Sequence, residues 1–206
     1  MPDSPAPECL FDGQDVQLLH FPAATAAPYR LVSFDIMHAR ANRKEAFASR
    51  FAIKNGVDLF GIVPKYPCWY PSQEMDQVCA IIASRAGPPA LAYGSSMGGY
   101  GALRFGKQAG CTAVLAFSPQ AHIAPDVTNG ADPRYARFHD PLAHAQMTIQ
   151  PGHLTAHTFV VHDPRSAFDR FQIGLLPQDK ISSFAVPHLG HRSVSCIASS
   201  DAANIG

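Results

Sequence analysis

The chain has 206 residues, with 16 basic side chains against 16 acidic ones and a formal net charge of zero. That length suits one domain with a sizeable core, and the balanced charge, without any arginine-rich run, argues against a nucleic-acid partner. No apolar run approaches the ~20 residues of a membrane span, and Met1 to Glu8, proline-rich and acidic, lacks the basic start and apolar core of an export signal. Five scattered cysteines (Cys9, Cys68, Cys79, Cys111, Cys196) form no C-x-x-C pair, so free thiols in a reducing cytoplasm are expected.

In chain order, Val16 to Phe21 reads as a first strand and Pro22 to Pro28 as an alanine-proline linker. Tyr29 to Phe34 is a stronger strand that stops in Asp35-Ile36-Met37-His38. Asn42 to Phe51 has helical spacing, with Phe47 and Phe51 on one face, and Asn55-Gly56 closes it. Val57 to Val63 is the next strand, followed by a loop from Pro64 to Pro71 that carries Tyr66, Trp69 and Tyr70. Ser72 caps a helix whose buried side is Met75, Val78, Cys79 and Ile82. Pro89 to Tyr93 reads as a buried strand and Met97 to Gly110 as a helix packed close to a sheet.

Thr112 to Phe117 is another short strand, leaving through Ser118-Pro119-Gln120. Residues 121–155 are the least regular part, with a short helix near Pro133 to Phe138, and form the natural place for a cap over a pocket. A strand from His157 to His162, a helix from Ala167 to Leu176 and a last strand from Ile181 to Val186 follow. The turn His188-Leu189-Gly190-His191 leads to a final helix from Ser193 to Ala203. This alternation predicts a single α/β domain over residues 1–206: a three-layer α/β/α sandwich with a mostly parallel sheet.

Between the strand and helix at its centre stands Gly94-Ser95-Ser96-Met97-Gly98, a G-x-S-x-G pattern. A serine there is forced through a sharp turn, with glycines on either side where backbones pass too close for a Cβ. Its hydroxyl stands proud of the sheet, above a helix N-terminus whose N–H groups stabilise negative charge. Ser96, Asp163 and His191 each fall just past the carboxyl end of a different strand, where such sheets carry their sites.

The stretch resembles the nucleophile elbow of the α/β-hydrolases, in particular small bacterial serine hydrolases with G-x-S-M-G-G-Y followed one strand later by Ser-Pro. The resemblance implies an α/β-hydrolase fold and a catalytic triad in the order nucleophile, acid, histidine. It places the base at His191, after the last strand and a glycine, with His188 as the rival. The family's usual acid position is occupied by Ser166, so Asp163, at the strand end, is the preferred acid and Asp169 the alternative. The oxyanion hole would use the N–H of Met97, and a second donor from the loop after Phe34, assigned to Ile36, where many members carry His-Gly. Trp69, Tyr70 and Gln120 are candidate substrate-binding residues near the strand ends.

The expected activity is that of a serine hydrolase acting on a small-molecule carboxylic ester or thioester. An acyltransferase using the same triad, or an inactive hydrolase fold serving as a binding module, is the alternative. Ten histidines raise a metal reading, but no H-E-x-x-H and no acidic ligand cluster occurs, so neither metal nor cofactor is expected.

Overall fold

The computed structural model of the chain describes residues 6–23, 27–39 and 41–194. Eight strands form one sheet: β1 (Glu8–Asp12), β2 (Val16–Phe21), β3 (Arg30–Phe34), β4 (Asp58–Pro64), β5 (Ala90–Ser95), β6 (Ala113–Phe117), β7 (His157–His162) and β8 (Ser182–Ala185). Their order is β1-β2-β4-β3-β5-β6-β7-β8. The pairs β1–β2 and β2–β4 are antiparallel, and all others, from β4–β3 to β7–β8, are parallel. The helices are α1 (Ser49–Asn55), α2 (Ser72–Ala83), α3 (Met97–Phe105), the short α4 (Pro125–Thr128) and α5 (Ala167–Gly174).

Alternation along the inner strands divides the core in two, because successive side chains leave a strand on opposite faces. Val32 and Phe34 of β3, with Phe60 and Ile62 of β4, join one cluster with Met75, Val78, Cys79 and Ile82 of α2 and Tyr100, Leu103 and Phe105 of α3. Leu31, Leu59 and Val63 face the other way and pack with Ala52 of α1. Helix α3 approaches the sheet closely: a Cβ on Gly94 would lie 2.1 Å from the Gly98 carbonyl oxygen, and one on Gly98 would lie 2.1 Å from that of Phe34.

The strands and helices fall close to expectation, with two main differences. β1 is an addition to the expected strands: it lies at the sheet edge, partly buried, and its apolar run Cys9-Leu10-Phe11 between Glu8 and Asp12 is too short to mark a strand by itself. The helix expected over Asn42 to Phe51 starts at Ser49. The Asn42 side chain accepts the N–H groups of Lys44 and Glu45, the Asp35 carboxylate accepts the Phe47 N–H at 2.8 Å, and Ala48 is left-handed at φ 64°. These local bonds draw amides away from a helical ladder. Phe47 stacks on Tyr93 while Phe51 is half exposed, so the two do not share a buried face. The final helix expected from Ser193 to Ala203 lies almost wholly outside the described residues, as does Cys196. The other four cysteines are unbridged, and burial pushes the thiols of Cys68, Cys79 and Cys111 up to about 12, which keeps them protonated.

Residues 121–155 hold α4 and two 3₁₀ turns, Pro133–Phe138 and Pro151–His153. The segment is pinned to the body by buried polar groups. The Gln172 amide of α5 donates to the His122 carbonyl and the Asp132 carboxylate and accepts the His122 N–H, each at 2.9 Å. His144 Nε2 donates to the Cys68 carbonyl at 2.8 Å. Among the described residues no helix is long and apolar enough to cross a membrane.

Candidate active site

Ser96 sits between β5 and α3 with φ 57° and ψ −119°. This is a strained conformation for a residue with a Cβ, and it persists only where the surroundings impose it. Three backbone bonds do so: the Ser96 N–H donates to Phe117 O, and Ser96 O accepts the N–H groups of Tyr100 and Gln120. Met97 opens α3, directly after Ser96, so its N–H has no intrahelical carbonyl to receive it.

His191 lies on the 3₁₀ turn Gly190–Arg192 that follows β8. Its Nε2 is 2.9 Å from Ser96 Oγ and its Nδ1 is 2.9 Å from Asp169 Oδ1. Asp169 is fully buried and its second oxygen, Oδ2, has no hydrogen-bond partner. The Arg134 guanidinium, held by Asp132 at 2.7 and 2.8 Å, stands 3.9 Å from Asp169 Oδ1.

Asp163, the carboxylate preferred from the sequence, does not face the imidazole. Its two oxygens accept the N–H groups of Arg165 at 2.8 Å and Gly190 at 2.7 Å, and those bonds hold its carboxyl below the usual range. Asp163 therefore fastens the turn that carries His191, and Asp169 alone meets the ring. Ser166 explains the displacement: its hydroxyl caps α5 by accepting the Asp169 N–H, leaving the carboxylate one turn further along. His188 points elsewhere, with Arg165 Nη1 3.2 Å from its Nε2. A buried pair, Ser118 Oγ and Ser193 Oγ at 2.7 Å, ties the segment after His191 to the end of β6.

Ile36, expected as the second donor to an oxyanion, lies on the loop after β3, where its carbonyl accepts the Ala39 N–H at 3.0 Å. The loop itself is braced: the Tyr70 hydroxyl donates to the Asp35 carbonyl oxygen, and the Tyr70 ring is fully buried edge-on to Phe34. Tyr70 thus supports the 35–36 loop from within the core and does not form a pocket wall. Trp69 is also buried, against Tyr135 and Phe138 of residues 121–155, with its indole N–H unpartnered. Gln120 is buried beside the serine, and neither atom of its amide has a partner. Tyr135, Arg134 and Asp35 carried no sequence signal, since each acts through contacts distant in the chain. Among the described residues no cluster of metal-binding side chains occurs.

Burial raises the Asp35 carboxyl to about 6, against the pull of the Phe47 and Ile36 N–H groups, and the nearby Glu45 adds to the rise. Its folded value lies above its unfolded one, so the native state binds the extra proton between about pH 4 and 6. Wild-type stability should therefore fall as pH rises through that window. Asp35→Asn removes the charge while keeping one acceptor. It should raise the unfolding free energy at pH 7.5 by about 1–2 kcal/mol, a gain that vanishes near pH 4. Urea unfolding across that pH range checks it, and a variant less stable than wild type at pH 7.5 would contradict it.

No protein-family model matches this chain, and no curated protein matches it. Solved structures do. The capsule O-acetyltransferase of Neisseria meningitidis serogroup A is similar with a TM-score of 0.63 at 13% identity, over 90% of this chain and 89% of that one. An acetyl xylan esterase from Paenibacillus sp. R4 gives 0.56 at 14% identity, over 90% and 82%. A lidless α/β serine hydrolase from Xanthomonas campestris gives 0.54 at 14%, over 95% and 89%. The fold is that of the α/β-hydrolases. At such low identity the likeness speaks to architecture, and what the site does has to be argued from its own atoms.

Proposed function

We propose that the protein is a serine hydrolase that cleaves a carboxylic ester or thioester through an acyl-enzyme on Ser96. The observation that carries this is the continuous chain Ser96 Oγ–His191 Nε2 and His191 Nδ1–Asp169 Oδ1, each link 2.9 Å. A serine hydroxyl is a weak nucleophile until a base takes its proton, and the base is effective only when a third group holds its tautomer. In this reading Asp169 accepts from Nδ1, which leaves the Nε2 lone pair facing Ser96.

Ser96 Oγ attacks the acyl carbon as its proton passes to His191 Nε2. The carbonyl oxygen gains the negative charge beside the Met97 N–H. The C–O or C–S bond to the leaving group then breaks, and that group takes the proton from His191. Water attacks the acyl-enzyme as its proton passes to His191; the acyl–Oγ bond then breaks, Ser96 Oγ takes the proton back from His191, and the carboxylic acid leaves. The unpartnered Gln120 amide supports a polar substrate contact beside the nucleophile, because buried amides without partners are rare unless a ligand completes them. Trp69 shapes the site indirectly, through Tyr135 and Phe138.

Transfer of the acyl group to a hydroxyl in place of water is the second reading. Favouring it is the similarity to a capsule O-acetyltransferase, a mutant of which is described in complex with CoA. A fluorophosphonate probe tests the mechanism common to both: covalent mass should be added once per chain, on the peptide containing Ser96. A folded protein left unmodified, or modified elsewhere, would reject both and favour a binding module.

A further inference from the structure

Asp169 is the hardest member of the Ser96–His191–Asp169 chain to keep in place. Its side chain is buried, Oδ1 lies 2.9 Å from His191 Nδ1, and Oδ2 has no hydrogen-bond partner. A buried carboxylate with so few partners is costly unless a cation stands near it. Arg134 brings one: its Nη2 is 3.9 Å from Asp169 Oδ1, beyond hydrogen-bond reach, so it acts through charge. The guanidinium is fixed on two sides. Its Nε and Nη2 donate to the two oxygens of Asp132 at 2.7 and 2.8 Å, and it lies over the ring of Phe168, the residue before Asp169, 4.3 Å from the centroid. Asp132 also accepts from the Gln172 amide at 2.9 Å. Phe168, Asp169 and Gln172 all belong to α5, so Asp132 and Arg134 clasp that helix around the acid. Both come from the irregular residues 121–155, between β6 and β7.

We infer that Arg134 is a positioning residue for the acid of this site: its charge holds Asp169 Oδ1 toward His191 Nδ1, so residues 121–155 help to aim the base. This rests on the reading of Ser96 as nucleophile and Asp169 as acid. The torsion that turns a carboxylate about its Cβ–Cγ bond has a broad, shallow preference. With no donor on Oδ2, the bond from one imidazole is the hydrogen bond that sets it. A cation beside Oδ1 adds a second restraint, and it is felt strongly where water is scarce. Arg134 can serve because it does not itself wander: the two-pronged bond to Asp132 and the Phe168 ring fix its plane. Asp132 also takes up much of the positive charge, so the pull steadies the carboxylate without drawing it off the ring. No proton moves to or from Arg134.

Arg134→Met keeps an unbranched apolar stem over Phe168 and removes the charge. The rate at which a fluorophosphonate adds to Ser96, read by mass, should fall about tenfold, within the range of coupling inside one ion-pair and hydrogen-bond network. The deciding comparison is the same change made in Asp169→Asn, where no carboxylate is left to aim. There Arg134→Met should alter the rate less than about twofold. Equal losses in both backgrounds are what a general packing role gives, and they would overturn the inference. A rate for Arg134→Met within about twofold of wild type would overturn it too. Should Arg134→Met fail to fold because Asp132 is left buried and unpaired, Asp132→Asn with Arg134→Met removes both charges together and keeps an acceptor for Gln172. That pair is put through the same comparison, with the same outcomes for and against. The levels separate cleanly. A wild type that takes no label rejects the nucleophile, and a labelled wild type matched in rate by Asp169→Asn rejects the acid; either removes the ground for this role. A slow Asp169→Asn beside an indifferent Arg134→Met rejects the inference alone.

Discussion

Ser96→Ala is expected to lower kcat for an activated ester about 10⁶-fold, leaving whatever catalysis binding and oxyanion donors supply without a nucleophile. The size follows from the proposed mechanism. The hydroxyl is the group that bonds to the acyl carbon, and its Oγ is 2.9 Å from the His191 nitrogen that takes its proton. Alanine suits the local backbone no better and no worse than serine at φ 57°, so the fold should survive. Stopped-flow hydrolysis of p-nitrophenyl acetate, with circular dichroism to confirm folding, measures it. A loss of only about tenfold would mean that the ester is cleaved elsewhere, and Ser96 would lose its assigned role.

The second large effect separates two aspartates. Asp169→Asn should lower kcat about 10⁴-fold with little change in KM, since an amide facing Nδ1 favours the tautomer that cannot take the serine proton. Asp163→Asn should cost about tenfold, because asparagine retains one acceptor for the two N–H groups of Arg165 and Gly190 and the His191 turn loosens without losing its orienting carboxylate. Kinetics of both variants on one ester decide the assignment. Equal losses, or the larger loss at Asp163, would return the acid role to the strand end.

These two aspartates also show where sequence reasoning stops. Asp163 stands at the carboxyl end of β7, where an acid is sought, while Asp169 falls in the first turn of α5, where an acidic side chain often serves the helix alone. What separates them is the direction in which α5 leaves the sheet and the capping of that helix by Ser166, and neither is written in local residue spacing. The 35–36 loop poses the same difficulty. Its donor geometry depends on Tyr70 and Phe47, residues brought to it from 35 and 12 positions away.

The sequence by itself determined the elements whose causes are local. Apolar runs bounded by glycine and proline marked the inner strands, and i, i+3, i+4 spacing marked α2 and its buried face. Gly94 and Gly98 flank a serine that only a strand-to-helix turn requires them to flank, and Gly190-His191 marked the turn after β8. The tertiary structure alone decided which carboxylate meets the imidazole, that Tyr70 is a brace, and that Arg134 of an irregular segment approaches that carboxylate. The physical reason is range. Secondary structure follows from neighbours a few residues apart, whereas a site at the ends of parallel strands is assembled by crossovers, so its side chains meet only after the sheet has closed their separation of 95 residues in one pair and 22 in the other.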